Sequence, residues 1–305
     1  MNPYYKDYAE YLGEIWPGIK VQKLSIDAGF SCPNRDGTIS TGGCIYCDNR
    51  SFTPRYCSAS DSISEQLRKG RDFFRKKYPE MKYLAYFQSF TGTHASAPEI
   101  LERMYEEAVA DKDIVGVIIG TRPDSLPEET IKILERLNEK THVIVEIGAE
   151  TSFDATLQLI NRRHTWGDVE GAVQILADRG IDTGLHLIAG LPGEDESMIL
   201  ETVSRACRLP VRSIKMHQMQ IIRNTPMHRM IERGQLRLKP YECEEYLDLC
   251  VKIVNRVNSV SGRRIAIERF VAQAPPEMVV APKWGLKNYE FTNLLLNRLR
   301  DQQQD

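Results

Sequence analysis

Short apolar runs alternate with longer amphipathic segments along most of this chain. The runs, rich in Val, Ile and Leu, predict the strands of a buried sheet at residues 21–26, 83–89, 115–119, 143–147, 183–188 and 213–220. The segments between them predict helices at residues 63–77, 98–110, 128–139, 153–179 with a break near 165–167, 197–207 and around Met227. In the third of these helices Ile131, Leu134 and Leu137 recur three apart, which is typical of a stripe that faces a core.

This alternation of strands and helices predicts an α/β fold. Buried strands joined by helices favour a parallel sheet covered on both faces, and right-handed crossovers curl such a sheet toward a barrel. Six strand-helix units predict a partial (βα)6 TIM-like barrel that is open on one side. We expect residues 1–235 to form this core with an N-terminal lead-in, and residues 236–305 to form a C-terminal helical extension packed on it.

The amino-acid composition is that of a globular protein and does not indicate a binding partner. The 305 residues are 42% hydrophobic and 27% charged with a net charge of -2, as in ordinary globular proteins, so bulk charge does not indicate nucleic acid. The N-terminus lacks a signal-type apolar core and no run of about 18 apolar residues occurs, which predicts a cytoplasmic protein without membrane spans. In that compartment clustered cysteines favour metal binding or catalysis over disulfides.

Three of the seven cysteines lie in one glycine-rich loop after the first predicted strand. They are Cys32, Cys44 and Cys47. A zinc site has four protein ligands and an ordinary iron-sulfur cluster is held by four cysteines, so three suggest an iron with an open position. The alternative is a structural zinc site with Cys57, ten positions after Cys47, as the fourth ligand.

Further polar and glycine-rich segments follow the later strands. They occupy residues 89–94, 120–124, 148–150 and 190–194, and His217 with Gln218 lies toward the end of the sixth strand. Functional groups of α/β barrels sit on the loops that follow strands. We therefore expect these segments and the cysteine loop to meet at one rim of the barrel.

These segments carry a family resemblance that extends over nearly the whole chain. The motifs are Cys32-Pro-Asn-Arg-Asp-Gly37, Gly43-Cys-Ile-Tyr-Cys47, Thr121-Arg-Pro-Asp124, Asn161-Arg-Arg-His-Thr165 and Leu185-His-Leu-Ile-Ala-Gly-Leu-Pro-Gly193. On these motifs the chain resembles the radical S-adenosylmethionine (radical SAM) superfamily, in the branch related to the catalytic subunit of Elongator and represented by YhcC-like and YtqA-like bacterial proteins. The eleven residues between Cys32 and Cys44 depart from the common CxxxCxxC spacing and resemble the longer spacing of this branch.

The resemblance implies the radical SAM type of barrel, its chemistry and its cofactors. Cys32, Cys44 and Cys47 would bind three irons of a 4Fe-4S cluster, and S-adenosylmethionine would bind the fourth iron. Reductive cleavage of S-adenosylmethionine, with an electron from a reductant such as flavodoxin or ferredoxin, would then generate the radical that removes a substrate hydrogen. The positions that match cosubstrate-binding residues of the family are Thr91, Gly92, Thr93, Glu150, Arg162, His186 and Gly190.

Each of these positions also has a simpler interpretation. The segment 91–93 and Gly190 could merely end strands, Arg162 could be a solvated helix charge, and His186 could be a core histidine. In addition, His186 stands where related enzymes often carry an acidic residue.

The resemblance points to tRNA as the substrate. Relatives act at C5 of the wobble uridine, and the YtqA-like group is associated with processing a carboxymethylaminomethyl group at that carbon. The residues proposed as substrate contacts are His217, Glu268, Lys283 and Trp284, although a tryptophan after a proline is also typical of a packing anchor. Alternatives are a radical enzyme that acts on a small metabolite, and a non-enzymatic iron-sulfur or zinc protein.

A basic cluster after the cysteine loop offers a possible phosphate contact for tRNA. Its members are Arg68, Lys69, Arg71, Arg75, Lys76, Lys77 and Lys82. The alternative is a solvated face of the helix that carries most of them.

Overall fold

The computed structural model describes residues 2–75 and 80–302, and it is built around one parallel sheet. Seven strands form it in the order β1-β2-β3-β4-β5-β6-β8, and every pair is parallel. The strands are β1 (Val21–Ile26), β2 (Lys82–Phe87), β3 (Ile114–Thr121), β4 (His142–Glu150), β5 (Asp182–Ala189), β6 (Ser213–Gln218) and β8 (Ala266–Ile267). A separate antiparallel pair consists of β7 (Ile221–Ile222) and β9 (Val279–Ala281).

Helices follow the strands, as the alternating pattern predicts. They are α1 (Tyr8–Ile15), α2 (Ile63–Arg75), α3 (Pro98–Val109), α4 (Glu128–Lys140), α5 (Asp154–Leu159), α6 (Trp166–Asp178), α7 (Glu196–Arg208), α8 (Pro226–Glu232), α9 (Cys243–Ser261) and α10 (Asn288–Asp301). The predicted break near residues 165–167 is confirmed, because Thr165 caps the start of α6 through a capping box with Asp168. The predicted end of α2 at residue 77 lies outside the described residues.

The α/β partial barrel is confirmed, with one more strand than the six units predict. Strand β8 extends the sheet beyond β6, and its two residues are too few to give a periodic signal. The N-terminal segment before β1 covers the outer edge of β8, where Asp7 forms a bridge with Ile267. Asp7 also caps α1 by accepting a hydrogen bond from the backbone N–H of Glu10 at 2.8 Å.

Alternate side chains of the strands face two different environments. One set, which includes Phe87, Val117 and Val145, packs under the surrounding helices. The other set points into the barrel, where Leu84 and Ile144 form a separate apolar cluster with Tyr8 and Tyr11 of α1. Helix α1 therefore closes the amino end of the barrel, and the carboxyl end is left for the site.

The C-terminal part of the chain packs on the core through α9, which contacts α7, and α10, which contacts α9. Because β8 belongs to the same part, the extension also contributes to the main sheet. The domain boundary between residues 235 and 236 stays a prediction. Within residues 2–75 and 80–302, no helix has the length and apolar character needed to cross a membrane.

Candidate active site

A cavity of about 340 Å³ opens at the carboxyl ends of the strands. Its walls combine the cysteine loop with the ends of β2, β3, β4, β5 and β6. The expected convergence at one rim is confirmed for these elements, but residues 190–194 do not line the cavity. The sequence-predicted residues that line it are Cys32, Cys44, Cys47, Thr91, Glu150, Arg162, His186 and His217.

The cysteine loop is held in shape by its own backbone. The N–H of Arg35 donates to the carbonyl of Cys32 at 2.7 Å, and the N–H of Gly43 donates to the carbonyl of Asn34 at 2.7 Å. Gly43 has a φ of 74°, in the left-handed region that glycine adopts readily. The side chain of Asn161 ties the loop to the barrel by donating to the carbonyl of Gly43 at 2.7 Å.

Two hydrogen-bond donors approach the buried sulfur of Cys44. Nδ2 of Asn34 and Nη1 of Arg162 each lie 3.6 Å from this sulfur. Burial, together with the neighbouring Cys44 thiol, raises the pKa of Cys47 to about 11. Thiolates at these positions therefore need a nearby positive charge, which bound iron supplies.

The zinc alternative is not supported by the position of Cys57. Its thiol donates to the carbonyl of Ser25 at 3.0 Å, and burial raises its pKa to about 12. Across residues 2–75 and 80–302, no three His, Cys, Asp or Glu side chains converge closely enough to hold a single metal ion. All three thiols line the cavity, and this donor set suits a cluster whose irons are bound by one cysteine each.

Arg162 connects the cysteine loop to the end of β4. Its Nη2 donates to the carbonyl of Gly148 at 2.7 Å and lies 3.3 Å from Oε1 of Glu150. Burial opposes the charge of Arg162, but the proximity of Cys44 and Glu150 raises its pKa well above the ordinary value. Arg162 is therefore a buried cation at the wall of the cavity and not a solvated helix charge.

Several buried polar atoms around the cysteines have no hydrogen-bond partner among the described residues. They are Oγ1 of Thr91, Nη1 of Arg122 and Nε of Arg162. Unpaired buried donors are costly, so such atoms indicate a missing ligand. A ligand that carries a carboxylate, an amine and hydroxyl groups fits this set, as S-adenosylmethionine does.

The remaining predicted cosubstrate positions lie behind the wall of the cavity. The N–H of Gly92 donates to the carbonyl of Gly120 at 2.7 Å, and a Cβ at Gly92 would come within 2.8 Å of that oxygen. Thr93 donates to the carbonyl of Ser125 at 2.5 Å. At Gly190, where φ is 86°, a Cβ would lie 3.1 Å from the ring of Tyr241. These three positions therefore shape the turns after β2 and β5.

A ring of four alternating charges lies deeper in the barrel. Lys23 is 2.6 Å from Glu146 and 2.7 Å from Glu268, and Lys215 is 3.1 Å from each of the same glutamates. Glu146 is 1% exposed and Lys215 is 3% exposed. Two cations and two anions balance, which offsets part of the cost of burying them. Glu268, a predicted substrate contact, therefore serves in this ring and does not line the cavity.

Two histidines line the cavity next to this charge ring. His186 contacts Glu146 through Nε2 at 2.6 Å, and its pKa is lowered by burial and by Lys215, against the opposing effect of Glu146. The pKa of His217 lies well below its ordinary value because of burial and the adjacent Arg269. Both rings are therefore neutral near pH 7.

The other predicted substrate contacts lie away from the cavity. Lys283 is exposed, and Trp284 stacks on Phe291 with ring centroids 5.8 Å apart. The Trp284 indole N–H donates to the carbonyl of Tyr241 at 3.2 Å. The structure thus gives Trp284 the role of a packing anchor, and neither residue is brought to the site.

The basic cluster is largely paired with acidic side chains. Lys69 contacts Asp61 at 2.7 Å, Lys82 contacts Asp113 at 2.7 Å, and Arg68 and Arg71 also form ion pairs. Lys76 and Lys77 lie outside the described residues. The members of the cluster on α2 are therefore mostly engaged in ion pairs with neighbouring carboxylates, and Lys82 lies on β2.

Four charged residues of the site have no role assigned from the sequence. They are Glu146, Lys215, Arg122 and Arg269. Glu146 and Lys215 do leave a signal, since Glu146 interrupts the apolar run 143–147 and Lys215 stands between Ile214 and Met216. A charged residue in a buried strand is rare unless it is paired, and this indicates a partner on a neighbouring strand.

Comparison with known proteins identifies the family of the chain. Residues 36–206 match the profile of the radical SAM superfamily, and residues 211–301 match the Radical_SAM C-terminal domain. The chain is 34% identical to YtqA of Bacillus subtilis over 93% of this chain and 86% of YtqA. It is 36% identical to YhcC of Escherichia coli over 88% of this chain and 83% of YhcC.

The chain also shows weaker similarity to longer proteins. A tRNA uridine(34) acetyltransferase of Methanocaldococcus jannaschii is 27% identical over 63% of this chain and 34% of the acetyltransferase. The structure of Elp3 from Methanocaldococcus infernus, lacking residues 1–46 of its own chain, superposes with a TM-score of 0.65 at 18% identity. That match covers 93% of this chain and 64% of the Elp3 chain, and at this identity it shows the shared fold.

The fold and the site define an α/β partial-barrel enzyme of the iron-sulfur type. The chain belongs to the radical SAM superfamily. Its cofactors are accordingly a 4Fe-4S cluster and S-adenosylmethionine. When bound, they supply a 5′-deoxyadenosyl radical that removes a hydrogen atom from a substrate.

Proposed function

We propose that this enzyme modifies the C5 side chain of the wobble uridine in tRNA, by removing the carboxymethyl part of a carboxymethylaminomethyl group. The observation that carries the proposal is a single cavity that joins the three-cysteine loop to a polar interior containing His186, His217 and Arg269. Such an interior suits a small charged side chain better than an apolar metabolite. The similarity to a tRNA uridine(34) acetyltransferase supports tRNA as the carrier of that side chain.

The site residues have separate roles in this proposal. Cys32, Cys44 and Cys47 bind the cluster, while Thr91, Arg122, Glu150 and Arg162 hold S-adenosylmethionine through the buried polar atoms around the cysteines. The charge ring formed by Lys23, Glu146, Lys215 and Glu268 fixes the floor of the cavity.

The proposed change to the substrate balances as an oxidative cleavage. The carboxymethyl carbon next to nitrogen would lose one hydrogen atom to the deoxyadenosyl group and one electron to a one-electron carrier such as flavodoxin or ferredoxin. Addition of water to the resulting iminium ion would leave a protonated aminomethyl group on the uridine and release glyoxylate.

Nucleoside mass spectrometry of tRNA tests this function in cells. We expect a strain without the gene to accumulate carboxymethylaminomethyluridine and to lose the aminomethyl form and its derivatives. The intact gene should restore the profile, whereas a Cys44→Ala gene should not. The matched control is Cys57→Ala, which should restore it because Cys57 lies outside the cavity. If the modifications at the wobble uridine are unchanged in the deletion strain, tRNA is not the substrate.

A further inference from the structure

Arg269 stands apart from the other cations of the cavity. The four lining arginines are Arg35, Arg122, Arg162 and Arg269. Arg122 pairs with Asp124 at 2.6 Å, Arg162 pairs with Glu150, and Arg35 donates to the carbonyl of Cys47 in the cysteine loop at 2.7 Å. Neither Arg35 nor Arg269 forms an ion pair with a carboxylate in residues 2–75 and 80–302, but Arg35 lies beside the cysteine thiols, whereas Arg269 lies beside His217.

The carboxylates of the cavity wall are already engaged elsewhere. Asp48 pairs with Arg50 at 2.6 Å, Glu150 pairs with Arg162, and Glu146 belongs to the balanced charge ring. The interior beside Arg269 therefore carries one uncompensated positive charge. Arg269 is half-buried, and a partly desolvated cation without an anionic partner favours binding of an anion there.

The immediate contact of Arg269 does not neutralise it. Its Nη2 lies 3.2 Å from the ring nitrogens of His217, whose pKa is held well below the ordinary value, and its Nε is buried without a partner among the described residues. Lys215, Tyr86 and His186, also nearby, bring no negative charge near pH 7. The nearby carboxylates, Glu146 and Glu268, are already paired with Lys23 and Lys215 in the charge ring. The guanidinium thus keeps donor capacity for a ligand.

The backbone holds Arg269 at the wall of the cavity. Its carbonyl accepts from the N–H of Met216 in β6 at 2.9 Å. Ala272, three residues after Arg269, is bound by the side chain of Gln218. This side chain donates to the carbonyl of Ala272 at 3.2 Å and accepts from its N–H at 2.6 Å. This double contact fixes the segment that follows β8, so the position of Arg269 is set before a substrate arrives.

We infer that Arg269, next to His217, is the binding site for the carboxylate of the substrate side chain. This inference rests on the proposed function and adds the residue that selects an anionic side chain over a neutral one. A guanidinium suits this task because it presents paired donors in the geometry of a carboxylate. The carboxylate removes the uncompensated charge and gives Nε a partner.

The test compares two anticodon stem-loops, one with the carboxymethylaminomethyl group and one in which an amide replaces the carboxylate. Binding to the cluster-loaded protein with S-adenosylmethionine is measured by fluorescence anisotropy, and turnover by mass spectrometry of the nucleosides. We expect the wild-type protein to bind the carboxylate form more tightly. In Arg269→Gln we expect kcat/KM for the carboxylate form to fall by about 100-fold and the preference over the amide to disappear.

Two further variants separate charge from folding. Arg269→Lys keeps the charge without the paired donors, so it should retain part of the preference. Arg264→Gln is the matched control, because Arg264 is exposed, donates to the carbonyl of Ser261 and does not line the cavity. It should behave like the wild-type protein. Uncoupled cleavage of S-adenosylmethionine should also be unchanged in Arg264→Gln.

The outcomes distinguish this inference from the function on which it rests. Equal binding of the two stem-loops by the wild-type protein, or a full preference in Arg269→Gln, would overturn the role of Arg269. A carboxylate preference that depends on Arg269, without conversion of either stem-loop, would uphold the binding site and overturn the proposed reaction.

Discussion

Nη1 of Arg162 lies 3.6 Å from the sulfur of Cys44. This contact joins a residue that follows β4 to the loop that follows β1, across the mouth of the barrel. The same guanidinium contacts Glu150, so one side chain borders both the proposed cluster and the proposed cosubstrate site. Changes at Arg162 should therefore affect two properties that can be measured separately.

Replacing Arg162 by Gln leaves Glu150 buried without its partner. We expect the free energy of unfolding of the cluster-free protein to fall by about 3 kcal/mol, the usual cost of breaking a buried pair. The double variant Arg162→Gln with Glu150→Gln should recover most of this stability but should still bind S-adenosylmethionine weakly. Urea unfolding and equilibrium binding measure the two effects. A double variant as unstable as the single one would show that the ion pair does not cause the loss.

The cysteines give a prediction about iron content. Cys32→Ala, Cys44→Ala and Cys47→Ala should each lose the 4Fe-4S absorption after anaerobic reconstitution, since each thiol is expected to bind one iron. Cys57→Ala is the control and should keep full iron and sulfide content, because Cys57 donates to Ser25 and does not line the cavity. Loss of the cluster in the Cys57 variant would instead favour a four-cysteine site.

His164 gives a prediction about the dependence of stability on pH. Burial, followed by the charge of Arg162, lowers its pKa to about 3, so the folded protein excludes a proton that the unfolded chain takes up below about pH 6.5. Stability from this group is present above pH 6.5 and is lost as pH falls from there toward 3. Each such histidine contributes up to about 1.4 kcal/mol per pH unit in that window.

Urea unfolding at several values between pH 5 and 7.5 measures this slope. The lowered pKa values of His186 and His217 act in the same direction, so the wild-type slope should exceed that of one histidine. His164→Gln should reduce the slope by the contribution of one proton. An unchanged slope in this variant would mean that His164 takes up its proton in the folded protein.

Trp284 tests whether the C-terminal aromatic residues act in packing or in substrate binding. In the structure its ring stacks on Phe291 and lies 5.4 Å from the ring of Tyr246. Trp284→Ala should therefore lower the free energy of unfolding by about 3 kcal/mol, while the folded variant keeps its turnover. Lys283→Ala, at the exposed neighbour, should change neither. Normal stability with lost turnover would restore Trp284 as a substrate contact.

The sequence predicts the scaffold well because long apolar strands and amphipathic helices carry strong periodic signals. The same reasoning misses α1 and β8. The first is a short helix whose tyrosines pack inside the barrel, and the second has two residues, so neither produces a clear period. Both are positioned by contacts distant in sequence, such as the bridge between Asp7 and Ile267.

The site is predictable where motifs lie in one segment and not where it depends on pairing across strands. Cys32, Cys44 and Cys47 are recognisable from their spacing in one loop. The charge ring is different, since Lys23 and Glu146 come from strands that are not neighbours and meet only when the sheet curls. Arg269 similarly depends on the segment after β8, which lies beyond the six predicted units.

Deuterium transfer tests the central claim most directly. The purified enzyme would be reconstituted anaerobically and given reductant, S-adenosylmethionine and tRNA that carries deuterium on the carboxymethyl carbon of the wobble uridine. We predict 5′-deoxyadenosine that contains one deuterium, formed together with aminomethyluridine. Unlabelled 5′-deoxyadenosine, or no loss of the carboxymethyl group, would contradict the proposal that the radical attacks this side chain.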